Sequence, residues 1–334
     1  MNYSDELSVT VIMPVFNTPA DILKEAVDSI LNQTLTEFEF IIIDDCSTLS
    51  ETEVYLNALT DSRISIIRNP KNLGITRSLN IAMRAAKGKY VARMDSDDIS
   101  LPYRLEKQYS FMEEHPDTLI CGSTVQFFGS SSFIWHTDTE DQELYRIRLL
   151  FRNEGPSHPS VMYRRESMLS HDLWYDESLQ YAQDYMMWIN ASRIGKISCL
   201  DEVLLLYRVH AGQVRKTKAE AQRRCGYLIH KRTLSLLLDN VTLQDAETHF
   251  KYCKDSVITD EAYTWFMKLA AANDEKQVYD KEKFRTFIYD FISPKVYSTY
   301  NIIRRRPWAY LHLFKYLPAS YIINCFIKKL TPYP

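Results

Sequence analysis

Tyr90-Val91-Ala92-Arg93-Met94-Asp95-Ser96-Asp97-Asp98 is the stretch on which the reading of the fold turns. A strand-like apolar run stops in three carboxylates within four residues. Side chains alternate faces along an extended segment, so this spacing puts Asp95 and Asp97 on one face and turns Asp98 to the other. Two carboxylates on one face at a strand end repel each other unless a cation lies between them. Oxygen ligands of this kind suit a hard divalent ion, Mg2+ or Mn2+, that keeps positions open for a phosphate. Taken alone, the stretch reads equally well as a solvated acidic turn, so its surroundings must decide.

Working outward, Ser8 to Val15 is almost continuously apolar and β-branched, as in a strand covered on both faces, and Pro14 closes it. Phe40 to Ile43 is a second such run, ending in Asp44 and Asp45, and Arg63 to Ile67 is a third. Between them lie helical patterns. Thr18 reads as an N-cap with Pro19 in the first turn, followed by Ile22, Leu23, Ala26, Val27, Ile30 and Leu31 on one stripe. A second helix covers Glu51 to Leu59. The loop Asn69-Pro70-Lys71-Asn72-Leu73-Gly74 opens a third, which Gly88 stops. Strands and helices alternating at this length predict a parallel sheet with helices on both faces, binding ligands beyond the carboxyl ends of its strands. Asn17, Asp44 with Asp45, and Asp95 with Asp97 all fall at such ends, which weakens the solvated-turn reading. No GxGxxG or GxxxxGK[ST] loop occurs, so dinucleotide oxidoreductases and P-loop enzymes find little support.

Further on, Leu119 to Phe128 reads as strand, Glu140 to Phe151 as helix, and Ser157 to Arg165 as a turn feeding a short strand. A helix begins at Gln183 with Asp184 in its first turn, and Val203 to Val209 is a strand delivering Arg208 and His210. Residues 213–290 read as a helical packing extension, with Thr242 and Thr259 at helix starts. The whole chain of 334 residues, 46% hydrophobic and 25% charged, has an ordinary globular composition. Its net charge of -3 makes no case for nucleic acid as a partner. None of the six cysteines forms a CxxC pair or sits at zinc-finger spacing, which fits thiols in a reducing compartment. Met1 to Glu6 lacks a basic and then apolar signal, and no run approaches the ~20 apolar residues of a membrane span, so a cytoplasmic location is expected. Residues 291–334 carry seven Lys or Arg and no Asp or Glu, interleaved with aromatics such as Trp308, Tyr310, Tyr316 and Phe326.

Several spaced blocks resemble the family 2 glycosyltransferases of the GT-A fold, especially bacterial members that assemble polysaccharides and O-antigens. They are Val11-Ile12-Met13-Pro14-Val15-Phe16-Asn17, Ile43-Asp44-Asp45-Cys46-Ser47, Asn72-Leu73-Gly74, the acidic stretch with Gly88 and Lys89 before it, and Pro102 with Arg104-Leu105. His158-Pro159-Ser160-Val161-Met162, Gln183-Asp184 and Tyr207-Arg208-Val209-His210 complete the set. The resemblance runs from about Leu7 to Gln213, nearly two thirds of the chain. It implies an α/β, Rossmann-like nucleotide-diphospho-sugar transferase fold, mostly parallel, over residues 1–212. The nucleotide half would be 1–100 and the acceptor half 101–212, with the helical extension 213–290 and the basic tail 291–334 beyond.

By this resemblance Asp95-Ser96-Asp97 is the family's DxD motif. Asp97 would bind the Mn2+ or Mg2+ that bridges the donor diphosphate, and Asp95 would reach the ribose or share the metal. Asp45 matches the base-reading aspartate, and an acceptor-only carboxylate suits the N3–H of uracil, which favours a UDP-sugar. Pro14, Phe16, Asn17, Arg77 and Ser96 would complete the nucleotide site. Asp184 matches the catalytic base of an inverting single displacement. It is the second member of an acidic pair whose first member is here Gln183. His210 stands where relatives present a metal- or diphosphate-binding histidine, with Arg208 and His158 as candidates for the diphosphate or the acceptor. The expected acceptor is a saccharide on a polyprenyl-diphosphate lipid, with the tail in peripheral contact with the inner face of the cytoplasmic membrane. The alternatives are a non-catalytic sugar-nucleotide-binding partner, prompted by Gln183, and a nucleotidyltransferase, which lacks its expected Gly-rich basic loop.

Overall fold

The computed structural model describes residues 7–210, 219–301 and 313–321. Inside a nine-stranded sheet, third from one edge, lies β1 (Val9–Val15), buried at every position as its unbroken apolar run requires. It pairs in parallel with β2 (Phe38–Asp44) on one side and β4 (Tyr90–Arg93) on the other, and β2 pairs in parallel with β3 (Ile64–Arg68). The crossovers are α1 (Ala20–Leu31), α2 (Ser50–Asn57) and α3 (Ile75–Ala85). The stripe on α1 buries Leu23, Ala26, Val27 and Ile30, each burial contributing about 1.5–3 kcal/mol for the larger side chains.

Beyond β4 the chain continues through β5 (Ile99–Ser100), α4 (Arg104–Glu114), β6 (Thr118–Gly129), β7 (Ile134–Trp135) and α5 (Gln142–Phe151). A 3-10 turn at His158–Ser160 then leads to β8 (Met162–Arg164), α6 (Arg165–Ser170), α7 (Gln183–Ala191) and β9 (Lys196–Val209). The strand order is β3-β2-β1-β4-β8-β6-β9-β5, with β7 on β6. The sheet is parallel from β3 to β4, as expected, and mixed from there on. Val161 accepts the backbone N–H of Arg93 at 2.9 Å, so β8 begins at the carboxyl end of β4 and can only run back along it. It is also antiparallel to β6, whereas β9 is parallel to β6.

One local expectation is corrected. Thr18 does not cap α1, which starts at Ala20 after Pro19 and has no side-chain cap. Its hydroxyl instead lies 2.7 Å from Ser96 Oγ, while its carbonyl accepts a bond from Thr52 at 2.7 Å. The side chain is spent joining the exit of β1 to the acidic stretch.

The chain folds as two compact units, one of residues up to 225 without 150–152, the other of 150–152 and residues from 226 onward. In the second, α8 (Ala219–Leu234) leads in, followed by α9 (Leu243–Lys254), α10 (Asp260–Lys276), α11 (Lys281–Asn301) and a short helix at Leu313–Tyr316. A capping box between Thr242 and Asp245 starts α9, and Thr259 caps α10. Phe151 meets the rings of Phe287 and Phe291 at centroid distances of 4.8 and 5.1 Å.

The described part of the basic tail is engaged with these helices. Lys295 is buried and donates to the Tyr252 and Cys253 carbonyls, Tyr316 packs edge-on against Tyr263, and Tyr321 donates to Asp290. Arg304, Arg305, Arg306, Trp308, Tyr310, Phe326, Lys328 and Lys329, read above as membrane contacts, lie outside the described residues. Among the described residues no helix is long and apolar enough to cross a membrane. Cys46, Cys121, Cys199, Cys225 and Cys253 are free thiols.

Candidate active site

Asp95, Asp97 and Asp98 each offer a carboxylate oxygen within 4.8 Å of the others. The expectation that Asp98 turns away is corrected. Extended geometry ends at Arg93, so strand alternation no longer governs the residues after it. Asp98 is buried and its Oδ1 accepts the Arg208 N–H at 2.8 Å. His210 Nε2 lies 3.0 Å from Asp97 Oδ2, joining the end of β9 to the cluster. Burial pushes the Asp95 carboxyl up against the opposing pull of Arg93, and burial with the charges of Asp95 and Asp97 pushes Asp98 well up. A set of hard oxygen donors that strain against their own mutual repulsion, with an imidazole beside them, fits Mg2+ or Mn2+.

Beneath this cluster lies a residue that sequence reasoning passed over. Arg93 is 2% exposed, and its Nη2 donates to Asp95. Its Nε and Nη1 are buried with no hydrogen-bond partner among the described residues. The available signal was a lone cation in an otherwise apolar strand, where an unpaired charge is costly. Arg104, wholly buried, donates to the Arg93 carbonyl at 2.7 Å and to Gln108 at 3.0 Å, and burial lowers its pKa to about 9. It fixes the backbone from which the acidic stretch departs.

Of the residues expected to bind the nucleotide, Pro14, Phe16, Asn17 and Asp45 gather at the ends of β1 and β2. Pro14 lies past the last paired residues of β1 and β4, where a missing N–H breaks no ladder bond to β4. Phe16 is 49% exposed at the strand's end. Asn17 adopts φ 52, a left-handed conformation that asparagine tolerates, and its Oδ1 accepts the N–H groups of Thr48 and Leu49 at 2.7 and 2.9 Å. It ties two loops together. Asp45 is similarly committed: Oδ1 accepts from Asn69 and the Leu73 N–H, and Oδ2 from the Gly74 N–H, all at 2.8 Å. Gly74 takes φ 85 there, which favours glycine. Arg77, by contrast, is held by Glu177 at 2.9 Å.

Asp184 sits in the first turn of α7, and its Oδ2 accepts from Asn153 at 3.2 Å. Burial raises its pKa, moderated by the Tyr185 N–H and Asn153, and its charge in turn raises Asp95. The adjacent Gln183 is buried with its Oε1 unpartnered among the described residues. His158 is a brace under α7. Its Nε2 bonds the Tyr175 hydroxyl at 2.7 Å, its ring meets Trp188 edge-on, and burial holds its pKa well below the ordinary imidazole value. Arg208 donates Nε to the Asp97 carbonyl at 2.7 Å and Nη2 to Glu25 at 2.5 Å, and its guanidinium lies over Phe128.

A parallel α/β half, a mixed half and an acidic strand end between them are the architecture of a GT-A glycosyltransferase. S. aureus TarS 1-349, solved with UDP-GlcNAc, has this fold, with a TM-score of 0.57 at 20% identity, covering 87% of this chain and 89% of that one. Residues 10–172 match Glycosyl transferase family 2. An uncharacterized glycosyltransferase of Methanocaldococcus jannaschii is 36% identical over 210 residues, 61% of this chain and 72% of the relative. The O-antigen biosynthesis glycosyltransferase WbnJ of Escherichia coli is 30% identical over 246 residues, 70% of this chain and 93% of the relative. The chain belongs to glycosyl transferase family 2 and is a glycosyltransferase.

Proposed function

We propose that this enzyme moves a hexose or N-acetylhexosamine from a UDP-sugar to a saccharide acceptor, a lipid-linked oligosaccharide of a bacterial surface polysaccharide, with inversion at the anomeric carbon. The observation that carries the reading is the cluster of Asp95, Asp97 and Asp98 oxygens within 4.8 Å of one another, with His210 Nε2 3.0 Å from Asp97, in a chain of this family that also presents Asp184 in the first turn of α7. A base and a diphosphate-binding site must face each other across one sugar ring. The O-antigen relative supports the acceptor class, and the UDP-GlcNAc complex of TarS supports the donor.

In this mechanism Asp184 takes the proton from the acceptor hydroxyl as that oxygen attacks the anomeric carbon. Burial raises its pKa, which makes it a stronger base than a carboxylate in water. Asp97, Asp95 and His210 would hold Mn2+ or Mg2+, and such an ion supplies charge neutralisation to the departing diphosphate. Arg93 keeps the Asp95 carboxylate aimed into the site. Phe16 offers an apolar face to the base. Asp45 Oδ2 carries one hydrogen bond, and a carboxylate oxygen accepts two, which leaves it a place for the uracil N3–H. A lipid-linked acceptor puts the enzyme at the inner face of the cytoplasmic membrane, with residues of the 291–334 tail as the contact.

A panel of nucleotide sugars assayed with Mn2+ tests the donor, with UDP release expected from UDP-sugars and loss of activity on chelation. Asp184→Asn should bind UDP as the wild type does and lose on the order of 10²-fold or more in transfer. Full transfer by that variant, or metal-independent transfer by Asp97→Ala, would overturn the assignments. Liposome flotation with and without residues beyond Phe291 tests the membrane contact.

A further inference from the structure

A row of aromatic rings crosses the edge of the sheet beside the acidic cluster. Phe133, just before β7, stacks on Phe127 of β6 with centroids 4.0 Å apart and planes at 11°. Phe127 in turn meets Tyr207 of β9 at 4.7 Å. Tyr207 adjoins the cluster: the next residue, Arg208, donates its backbone N–H to Asp98 Oδ1 at 2.8 Å and its Nε to the Asp97 carbonyl at 2.7 Å. The ladder explains the alignment: Phe127 pairs with Tyr207 across β6 and β9, and its N–H donates to the Phe133 carbonyl at 2.8 Å. Alternation along β7 sets Trp135 on the face of Phe133 and Ile134 on the other. Phe133 and Trp135 are each 44% exposed, so the row begins at the acids and ends in open rings.

Exposed aromatics in register are costly in water and ask for an occupant. We propose that this row is a stacking platform for pyranose rings of the saccharide acceptor, which extends the proposed function and rests on its acceptor class. Three features select that occupant. The platform is continuous with the cluster that would hold the donor diphosphate, so a chain lying along it leads its end toward Asp184. Phe133 gives one face to Phe127 and is still 44% exposed, as is Trp135, and a rigid open aromatic face matches the apolar C–H face of a pyranose better than it matches acyl chains. The connecting segment between β6 and Phe133 is Ser130-Ser131-Ser132, hydroxyls suited to the equatorial hydroxyls of a sugar.

The test uses the full-length enzyme on a printed array of bacterial surface oligosaccharides, with UDP affinity measured in parallel by calorimetry in Mn2+. Wild type should retain a set of glycans, and Phe133→Ala with Trp135→Ala should weaken that retention about tenfold or more while UDP affinity holds. Ile134→Ala, on the opposite face of the same hairpin, should keep both. Retention of no glycan by wild type, or equal retention by the double variant, overturns the platform. A parallel fall in UDP affinity also overturns it, because the hairpin would then be scaffold. Loss of binding to phosphatidylglycerol vesicles with glycan retention intact would assign the rings to a membrane and likewise overturn it. Glycan retention by a wild type that binds no UDP would leave the platform standing and remove the donor reading.

Discussion

At Asp184, the proposed base, burial raises the carboxyl pKa while the Tyr185 N–H and the Asn153 amide lower it. Asn153→Ala removes a donor to the charged form. The acid limb of kcat/KM should therefore move to higher pH in that variant, because the base stays protonated further up the scale. A limb that stays in place while the rate falls would leave Asn153 a positional role only. Asp45 makes a second residue-scale test. Asp45→Asn sets an amide NH2 against N–H donors of the Leu73–Gly74 loop, and should cost about 1–3 kcal/mol in urea denaturation. Stability equal to wild type would free Asp45 from the anchoring role. The placement of Asp95 and Asp97 in one acidic cluster, and of Asp184 in the first turn of a helix, was legible from residue type and spacing. Arg93 was not, because its importance lies in being buried against Asp95, and a strand pattern does not say what a lone cation faces. The bonds that occupy Asp45 and Asn17 were hidden for the same reason: their partners lie 24 to 32 residues away.

At the scale of elements, α7 carries Asp184, and its placement depends on a close approach. A Cβ on Gly155 would lie 1.9 Å from the Trp188 ring, one helical turn beyond Asp184. Trp188 is fully buried and meets His158, itself bonded to Tyr175. Gly155→Ala must push the indole, and with it the helix start, so transfer should fall by up to about 10²-fold even though UDP binding persists. A kcat equal to wild type would show that α7 can absorb the shift. The same scale shows where pattern reading succeeds. Helices with a stripe such as Leu79, Ala82 and Met83, and strands as apolar as Val9–Val15, declare themselves locally. β5, of two residues, does not, and β8, of three, shows as a short strand but not in its pairing. Nothing local says that β8 slots between β4 and β6, since that pairing is fixed by where the His158–Ser160 turn leaves the chain.

Across the whole molecule, the parallel half was legible because β1, β2 and β4 are buried on both faces, while the second unit announced helices and caps but no chemistry. Its titratable core makes a prediction of its own. His249 is fully buried, its Nδ1 accepts from Trp265 at 3.0 Å, and its Nε2 meets the Leu150 carbonyl at 3.0 Å. His230 lies edge-on against it at 5.0 Å. Burial holds their pKa values at about 4 and about 3, with the charge of His249 adding to the effect on His230. Both are neutral in the folded chain, whereas the unfolded chain takes up protons near 6.5. Stability is therefore intact above pH 6.5 and falls as the pH drops below it toward 4 and 3. By pH 5 each histidine should have cost about 2 kcal/mol relative to pH 7. Urea denaturation followed by tryptophan fluorescence at pH 7 and pH 5 should show that loss. His249→Gln, which can still donate to Leu150 and accept from Trp265, should lose less between the two pH values than wild type by that histidine's share. Equal losses in the two proteins would mean that His249 gains its proton without strain, and that this core is open to water.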